Sequence, residues 1–338
     1  MKRPNLFDYA TKELSQDAFV CWLAAWSNPE FRLTDNALHK TGTYFVQKLL
    51  KKKGIEIIAI NTIEVIPQKK RIDISIVVNN EYFVIIEDKI HSKAHGNQLK
   101  RYFEIARDEL KYPENKIVPI FLKTSYQAHY YNENYELFLL EDFAEIIAFG
   151  KKHGVTDPIF VDFSNVISQR ITWIEEYKTK NVNEWGYGWI GFFKEMQESM
   201  NANWVDWGYI QNQLGGFHGM WAHFFKTNEP NTEQIHFLLK QVKGQEDAEI
   251  QFLIEPKEIS GHERKQLKYH WADRFIRAGN SIGVKVEKVK RLGEGKNMAV
   301  AQFADKVIYR LSDGAFDKEK TLEVFEKCKK IIEIASKN

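Results

Sequence analysis

Two adjacent strand-like segments, joined by a very short polar turn, constrain the fold of this 338-residue chain more than any other feature. Residues 71–78 read RIDISIVV and residues 82–89 read YFVIIEDK, so both are rich in β-branched residues that favour strands. The turn between them is Asn79-Asn80-Glu81, and asparagine tolerates the left-handed backbone that short hairpin loops need. The pattern predicts an antiparallel hairpin with strands over Ile72–Val78 and Tyr82–Lys89.

Acidic residues interrupt the apolar run at one end of this hairpin, and the loop length decides whether they meet. With a three-residue loop, Val78 pairs with Tyr82. Counting outward then places Asp73 directly opposite Glu87, whereas a two-residue loop would place Asp73 opposite Ile86, on the wrong face. We predict the three-residue loop, which holds the two β-carbons about 4.5–5.5 Å apart.

Two carboxylates at that spacing need a cation, because like charges directly opposite one another are destabilising. Mg²⁺ takes oxygen ligands and is usually held by one or two carboxylates, waters and phosphate oxygens. Lys89 shares a face with Glu87, because side chains alternate along a strand. Its ammonium could position a water or stabilise charge developing on a phosphate. The pattern predicts half of a metal site that acts on phosphate; the structural alternative is a solvated cross-strand ion pair.

The rest of the chain supplies helices and strands around this hairpin. Hydrophobic periodicity predicts helices at 13–26, 38–53, 95–110 and 140–154, and further strands at 56–66 and 116–123. Residues 159–225 are predicted to be helical and aromatic, and we interpret their tryptophans as packing between domains rather than a platform for stacked bases. After Pro230 the pattern predicts strands at 234–242, 248–255, 284–291 and 298–303, and helices at 261–278 and 318–336. This ββαββα order is either a duplication or a sheet with helices on one face.

The order helix, three strands, helix, strand in residues 13–123, with Asp73 followed by Glu87-Asp88-Lys89, resembles the PD-(D/E)XK nuclease superfamily. Glu13, which opens the first helix, resembles the helical glutamate that many members add to the metal site. Gln98 and Tyr102 resemble the Gln-x-x-x-Tyr element that follows the lysine in several branches, and four-residue spacing places them on one helix face. The position of the name-giving proline holds Ile72, and that position supplies no ligand.

The resemblance implies an α/β protein with a restriction-endonuclease-like αβββαβ core and a mixed sheet. We expect the nuclease core at residues 1–150, a helical tryptophan-rich segment at 151–227 and an α+β (ββαββα) domain at 228–338 that selects substrate or partner.

The resemblance also implies roles for single residues. Asp73 and Glu87 would ligate Mg²⁺ or Mn²⁺, helped by the backbone carbonyl of Asp88. Lys89 would address the attacking water and the scissile phosphate, and Glu13 would contact a metal-bound water or a second metal. Gln98 would orient Lys89 or the phosphate, and the Asp88 side chain would point away from the metal, towards Lys100 or Arg101. Apart from the resemblance, the residues expected to contact nucleic acid are Lys69, Lys70, Arg71, Lys93, Arg101 and Tyr102; the alternative for the basic residues is an ordinary solvated surface.

Composition sets the remaining expectations. The net charge of +2 neither demands nor excludes nucleic acid, because local basic patches matter more than the total. The two cysteines, Cys21 and Cys328, are far apart, which excludes a disulfide framework or a cysteine zinc site and fits a reducing cytoplasm. No apolar run reaches membrane-span length. His91 and His95 are four residues apart but lack a nearby third ligand, so they form a weaker candidate metal site.

Two readings compete with a metal-dependent nuclease acting on DNA. One is a nucleic-acid-binding or assembly module that keeps the fold without turnover, and the other is a structural hairpin with a salt-bridged cluster. Within the nuclease interpretation, cutting of two strands with one site per chain would favour a homodimer, and the resemblance implies a role in DNA defence or repair.

Overall fold

The computed structural model describes residues 4–68, 71–90, 98–130, 135–202, 204–211, 215–259, 261–291 and 295–337. The chain divides into two compact units, one formed by Met1–Tyr126 with Tyr130–Thr172 and the other by Gln127–His129 with Trp173–Asn338. The three-part division with boundaries at residues 150 and 227 stays a prediction.

The first unit is a mixed sheet with helices on both faces. Its helices are α1 Glu13–Ala25, α2 Asn36–Lys52, α3 Gln98–Glu104, α4 Leu140–Lys152 and α5 Pro158–Glu175, the last of which runs into the second unit. Its strands are β1 Ile63–Pro67, β2 Ile74–Val78, β3 Tyr82–Lys89, β4 Ile117–Lys123 and β5 Glu136–Phe138, in the order β1-β2-β3-β4-β5. The pairs β1/β2 and β2/β3 are antiparallel, whereas β3/β4 and β4/β5 are parallel. The α/β architecture with an αβββαβ core is therefore confirmed.

The hairpin register is the one that a three-residue loop requires. Val78 pairs with Tyr82, and the ladder continues to Ile74 opposite Ile86. Asn79 has a φ of 55°, in the left-handed region, and its side-chain Oδ1 accepts a hydrogen bond from the backbone of residue 61 at 2.7 Å. The next step of this register places residues 73 and 87 opposite each other.

Both faces of the central strands are covered, which explains their near-continuous apolar sequence. On one face, Phe83 and Ile85 belong to a buried cluster with Tyr102 and Ala106 from the segment that contains α3. On the other face lies α1, which crosses α2 closely. A β-carbon at Gly42 would lie 2.5 Å from the backbone oxygen of residue 23, so this crossing needs glycine.

Some element boundaries differ from the predicted ones. β1 begins at Ile63 instead of residue 56, because only residues 63–67 pair with β2. β5 was not predicted, since three residues are too few for a pattern. The helix that begins with α3 continues as one π-helical turn, Ile105–Glu109, where the Leu110 amide donates to the Ile105 carbonyl.

The second unit is a six-stranded antiparallel sheet with two long helices on one face. Its elements are α6 Gly188–Ser199, β6 Val205–Ile210, β7 Phe217–Lys226, β8 Thr232–Lys240, β9 Glu249–Pro256, α7 Gly261–Ser281, β10 Val286–Lys288, β11 Met298–Phe303 and α8 Lys318–Lys337. The strand order is β10-β11-β9-β8-β7-β6. Phe237 and Phe252 are paired neighbours that contact Phe325 of α8 and Phe275 of α7, respectively. The ββαββα segment is therefore part of a single sheet with its helices on one face.

The helical prediction for residues 159–225 is correct for α5 and α6 and wrong for β6 and β7. In β6, Val205 and Trp207 are buried while Asp206 and Gly208 are partly exposed, which is the two-residue period of a strand. The density of aromatic residues concealed this alternation. Trp185 and Trp189, at ring centroids 4.9 Å apart, pack inside the second unit.

Cys21 and Cys328 are both free cysteines. Across the ranges that the structure describes, no helix has the length and apolar character needed to cross a membrane.

Candidate active site

Three of the predicted acidic residues converge on the ammonium group of a fourth predicted residue, Lys89, at the end of β3. Lys89 Nζ lies 2.8 Å from Glu87 Oε1 on its own strand and 3.6 Å from Asp73 Oδ2, just before β2. It lies 3.8 Å from Oε2 of Glu13, the first residue of α1. The hairpin register and the helix start therefore bring Glu13, Asp73, Glu87 and Lys89 together, as the sequence predicted; their chemical roles stay predictions.

Backbone groups of β3 fix these side chains in place. The Asp88 amide donates to Asp73 Oδ2 at 3.1 Å, and the Asp88 carbonyl accepts from Lys89 Nζ at 2.8 Å. The Ile90 amide donates to Glu13 Oε1 at 3.1 Å. Backbone amides that follow Glu87 thus hold Asp73, just before β2, and Glu13 of α1.

Burial is graded across the site. The side chain of Glu87 is 0% exposed, that of Lys89 is 10% and that of Asp73 is 25%, whereas that of Glu13 is 38%. The cluster therefore has a closed end at Glu87 and opens to solvent at Glu13. A substrate or ion would enter from the side of Asp73 and Glu13.

The buried end has unusual electrostatics. Burial raises the pKa of Glu87 to about 7, and the charge of Asp73 adds to this shift while Lys89 opposes it. Burial alone would lower the pKa of Lys89, but the Glu87 carboxylate, with Asp73 and Glu13 beyond it, raises the pKa above its usual value. The ammonium is therefore charged at neutral pH and serves as the counter-ion of the acids.

The donor set fits a divalent cation. Oε2 of Glu87 is buried and has no hydrogen-bond partner in the described part of the chain. Carboxylate and carbonyl oxygens are the ligands that Mg²⁺ and Mn²⁺ prefer. Within the same described ranges, no three His, Cys, Asp or Glu side chains are arranged around a common cation position. One or two carboxylates plus waters is nevertheless the usual protein share of a magnesium site.

The Asp88 side chain points away from the cluster, as predicted, but its expected partners are wrong. Its Oδ1 accepts from Gln16 Nε2 of α1 at 2.6 Å, not from Lys100 or Arg101. Asp88 shares the sheet face of Ile86, and that face is covered by α1, whereas the helix that carries residues 100 and 101 covers the face of Glu87. Burial raises the pKa of Asp88 well above its usual value, and the nearby Asp17 adds to the shift.

The Gln-x-x-x-Tyr element forms an internal pair. Gln98 Nε2 donates to the Tyr102 hydroxyl at 3.1 Å, and the Tyr102 ring is buried in the cluster that contains Phe83 and Ile85. The Oε1 of Gln98 is buried without a hydrogen-bond partner in the ranges described. Arg101 is exposed and lies 5.2 Å from the Tyr102 ring, and Arg71 is exposed with a φ of 67°. Nucleic-acid contact by these residues stays a prediction.

Several other candidates lie outside the described residues. They are Lys69, Lys70, His91, Lys93 and His95.

The sequence reasoning missed polar residues that surround β3 from other elements. Lys123, at the end of β4, pairs with Lys89 in register, is fully buried and donates to the Ile90 carbonyl at 3.4 Å. Thr124 follows it, and its amide donates to the Lys89 carbonyl at 3.3 Å. The signal was a Lys-Thr pair at the carboxyl end of a buried strand, since the carboxyl ends of parallel strands meet at one edge of a sheet. A second signal pointed to Gln16, because Gln16 is a polar residue on the apolar stripe of α1.

Comparison with protein families agrees with this geometry. Residues 5–187, more than half of the chain, match a family model described as PD-(D/E)XK nuclease superfamily, and the chain belongs to this superfamily. No curated protein and no solved structure gives a significant match. The match covers the sheet, the converging acids and α1 to α5, so it supports a nuclease-type function and a nucleic-acid substrate.

Proposed function

We propose that this protein is a nuclease that hydrolyses phosphodiester bonds of DNA and requires Mg²⁺ or Mn²⁺. The observation that carries the proposal is the convergence of Glu13, Asp73 and Glu87 on the Lys89 ammonium, within 3.8 Å, at the end of β3. An ion pair that served stability alone would need one acid. Three acids and one ammonium leave an excess of negative charge that a divalent cation would neutralise.

Asp73 and Glu87, with the Asp88 carbonyl, would hold the cation, and Glu13 would complete the open side. When bound, the cation would polarise the scissile phosphate and make an attacking water more acidic. The fit rests on the unpartnered Glu87 Oε2 and on the oxygen-only donor set.

Lys89 acts in this proposal as a hydrogen-bond donor and a fixed positive charge. The charged ammonium is suited to stabilise charge on the phosphate in the transition state. Gln98, with its unpartnered Oε1, would orient either Lys89 or a water through that acceptor.

The test is cleavage by wild type and Lys89→Ala of four substrates, namely supercoiled, linear double-stranded and single-stranded DNA, and RNA. We expect Mg²⁺-dependent cleavage of DNA that ends on addition of a chelator and falls by at least about a hundredfold in Lys89→Ala, the order of loss seen when one transition-state donor is removed. Lys48→Ala is the matched control, because Lys48 pairs with Glu145 between α2 and α4. Equal cleavage by Lys89→Ala and Lys48→Ala would contradict the proposal, and salt-sensitive binding without products would favour a non-catalytic binding module.

A further inference from the structure

A chain of buried hydrogen bonds lies on the face of β3 opposite the acids. It begins at Asp88, whose Oδ1 accepts from Gln16 Nε2 at 2.6 Å. Gln16 and Asp88 are 2% and 1% exposed, so water does not compete for this contact. A buried hydrogen bond to a charged or partly charged acceptor stabilises more than an exposed one.

The amide of Gln16 has only one orientation in this network. Its Oε1 accepts from the Thr124 hydroxyl at 2.8 Å and from Arg170 Nη1 of α5 at 2.8 Å. Arg170 also donates to the Thr124 hydroxyl. Because an arginine can only donate, the oxygen of Gln16 must face Arg170 and the amide NH₂ must face Asp88.

Asp88 connects this network to the site through its own backbone. Its amide donates to Asp73, and its carbonyl accepts from Lys89, on the other side of the strand. These two groups belong to the two peptide units that flank the Asp88 Cα, so a change of the backbone dihedral angles at Asp88 would displace one contact relative to the other. Holding the Asp88 side chain in one position therefore holds the carbonyl and the amide that the site uses.

The polar groups here are costly, which argues for a role beyond filling space. The Asp88 carboxyl group also pairs with that of Asp17, and Oδ2 of Asp88 and Oδ1 of Asp17 are buried without an N–H donor in the described part of the chain. Well-packed apolar residues usually stabilise a core at least as much as a buried polar cluster of this kind. A buried hydrogen-bond network does, however, fix the orientation of the backbone groups that it holds.

We propose that Gln16 is a positioning residue for the metal-binding end of β3, that it acts through Asp88, and that Arg170 and Thr124 hold its amide. This inference rests on the proposed metal-dependent nuclease. Groups that orient metal ligands change metal affinity or activity by about 10–100-fold when they are removed. Gln16→Met should therefore weaken the site while leaving the bulk of α1 in place.

The experiment measures the Mn²⁺ concentration at the midpoint of metal-induced thermal stabilisation in the full chain, together with kcat and KM for DNA. Gln16→Met keeps the side-chain length and removes the amide. We expect a midpoint at least about tenfold higher than in wild type, a lower kcat and an unchanged KM. Gln47→Met is the matched control, because Gln47 makes one hydrogen bond to the Ile57 carbonyl.

A double-mutant cycle with Asp88→Ala tests the route of the effect. If Gln16 acts through Asp88, the loss in Gln16→Met/Asp88→Ala equals that in Asp88→Ala alone. Should Gln16→Met fail to fold, Arg170→Met removes the support of the amide from a half-buried position, and we expect a smaller shift of the midpoint in the same direction.

Two failures are distinguishable. If the wild-type protein neither gains thermal stability from Mn²⁺ nor cleaves DNA, the proposed function is contradicted and this inference falls with it. A wild-type protein that does both, with Gln16→Met and Arg170→Met indistinguishable from Gln47→Met, overturns the positioning role alone. Additive losses in the double-mutant cycle also overturn it.

Discussion

A single ammonium, that of Lys89, has three acids and a backbone carbonyl within 3.8 Å. Without this ammonium, Glu87 and Asp73 would repel each other across the hairpin. The excess of negative charge is therefore a property of these side chains. A metal ion bound as proposed would interact with the same oxygens as Lys89. The lysine neutralises part of the charge of these acids.

Gln98 and Tyr102 provide a residue-level test of the neighbouring helix. Gln98→Ala removes the unpartnered acceptor and should lower the cleavage rate about tenfold. Tyr102→Phe removes the hydroxyl that Gln98 contacts at 3.1 Å, which should cost about 1 kcal/mol of stability and a smaller factor in rate. The measurement is kcat for the two single variants and the double variant. A double variant slower than Gln98→Ala by the full Tyr102→Phe factor would contradict a shared role.

Glu13 was found from sequence through the family resemblance, whereas Asp73 and Glu87 were found because their neighbours in the chain determine their positions. Asp73 and Glu87 could be placed opposite each other because loop parity alone fixes the register. Gln16 could not be linked to Asp88, because the two are 72 residues apart and meet only when α1 packs on the sheet. The same tertiary contact explains why Lys100 and Arg101 were the wrong partners for Asp88.

At the scale of elements, α1 carries Glu13 and Gln16 to β3 and crosses α2 closely near its carboxyl end. Gly42 allows that approach, since a β-carbon there would meet the backbone at 2.5 Å and 2.9 Å. Gly42→Ala should lower the free energy of unfolding by about 1–3 kcal/mol, the usual cost of overpacking, and reduce cleavage by displacing α1. Urea unfolding measures the change.

Gly186→Ala is the control for this prediction, because nothing lies within 4 Å of a β-carbon at Gly186 and its φ is ordinary. If Gly42→Ala is as stable and as active as Gly186→Ala, the close crossing of α1 and α2 is not needed.

Some elements could be predicted from their sequence pattern and others could not. β11 was predicted with its observed ends, Met298–Phe303. β7 was read as helix, because a bulge between Ala222 and Phe225, with His223 at a φ of 57°, breaks its two-residue alternation. The π-helical turn Ile105–Glu109 leaves no signal in hydrophobic spacing at all.

At the scale of the whole molecule, the two units bury different titratable groups. The second unit buries His236, which is 0% exposed, stacks on Phe224 at 4.5 Å and has no hydrogen-bond partner for either ring nitrogen in the described ranges. Burial lowers the pKa of His236 to about 4 from 6.5. The unfolded chain therefore binds more protons between these values, so stability present above pH 6.5 is lost as the pH falls towards 4.

His236→Leu should remove this pH-dependent loss of the free energy of unfolding, which amounts to up to about 3 kcal/mol at 1.36 kcal/mol per pKa unit. The measurement is the unfolding temperature by circular dichroism from pH 7 to pH 5, where the variant should fall less than wild type. His262→Leu, at an exposed histidine, should fall as wild type does. Equal slopes for wild type and His236→Leu would contradict the prediction.

The most direct test is to measure Mn²⁺ binding by wild type and by Asp73→Asn, with electron paramagnetic resonance used to detect the free ion. Asparagine can still accept the 3.1 Å hydrogen bond from the Asp88 amide, so the variant should keep its metal-free fold. We predict saturable binding in wild type, stabilising it by about 2.7 kcal/mol at a hundredfold excess over Kd, and its loss in Asp73→Asn. No binding by wild type, or equal binding by Asp73→Asn, would contradict the claim that these opposed acids form a metal site.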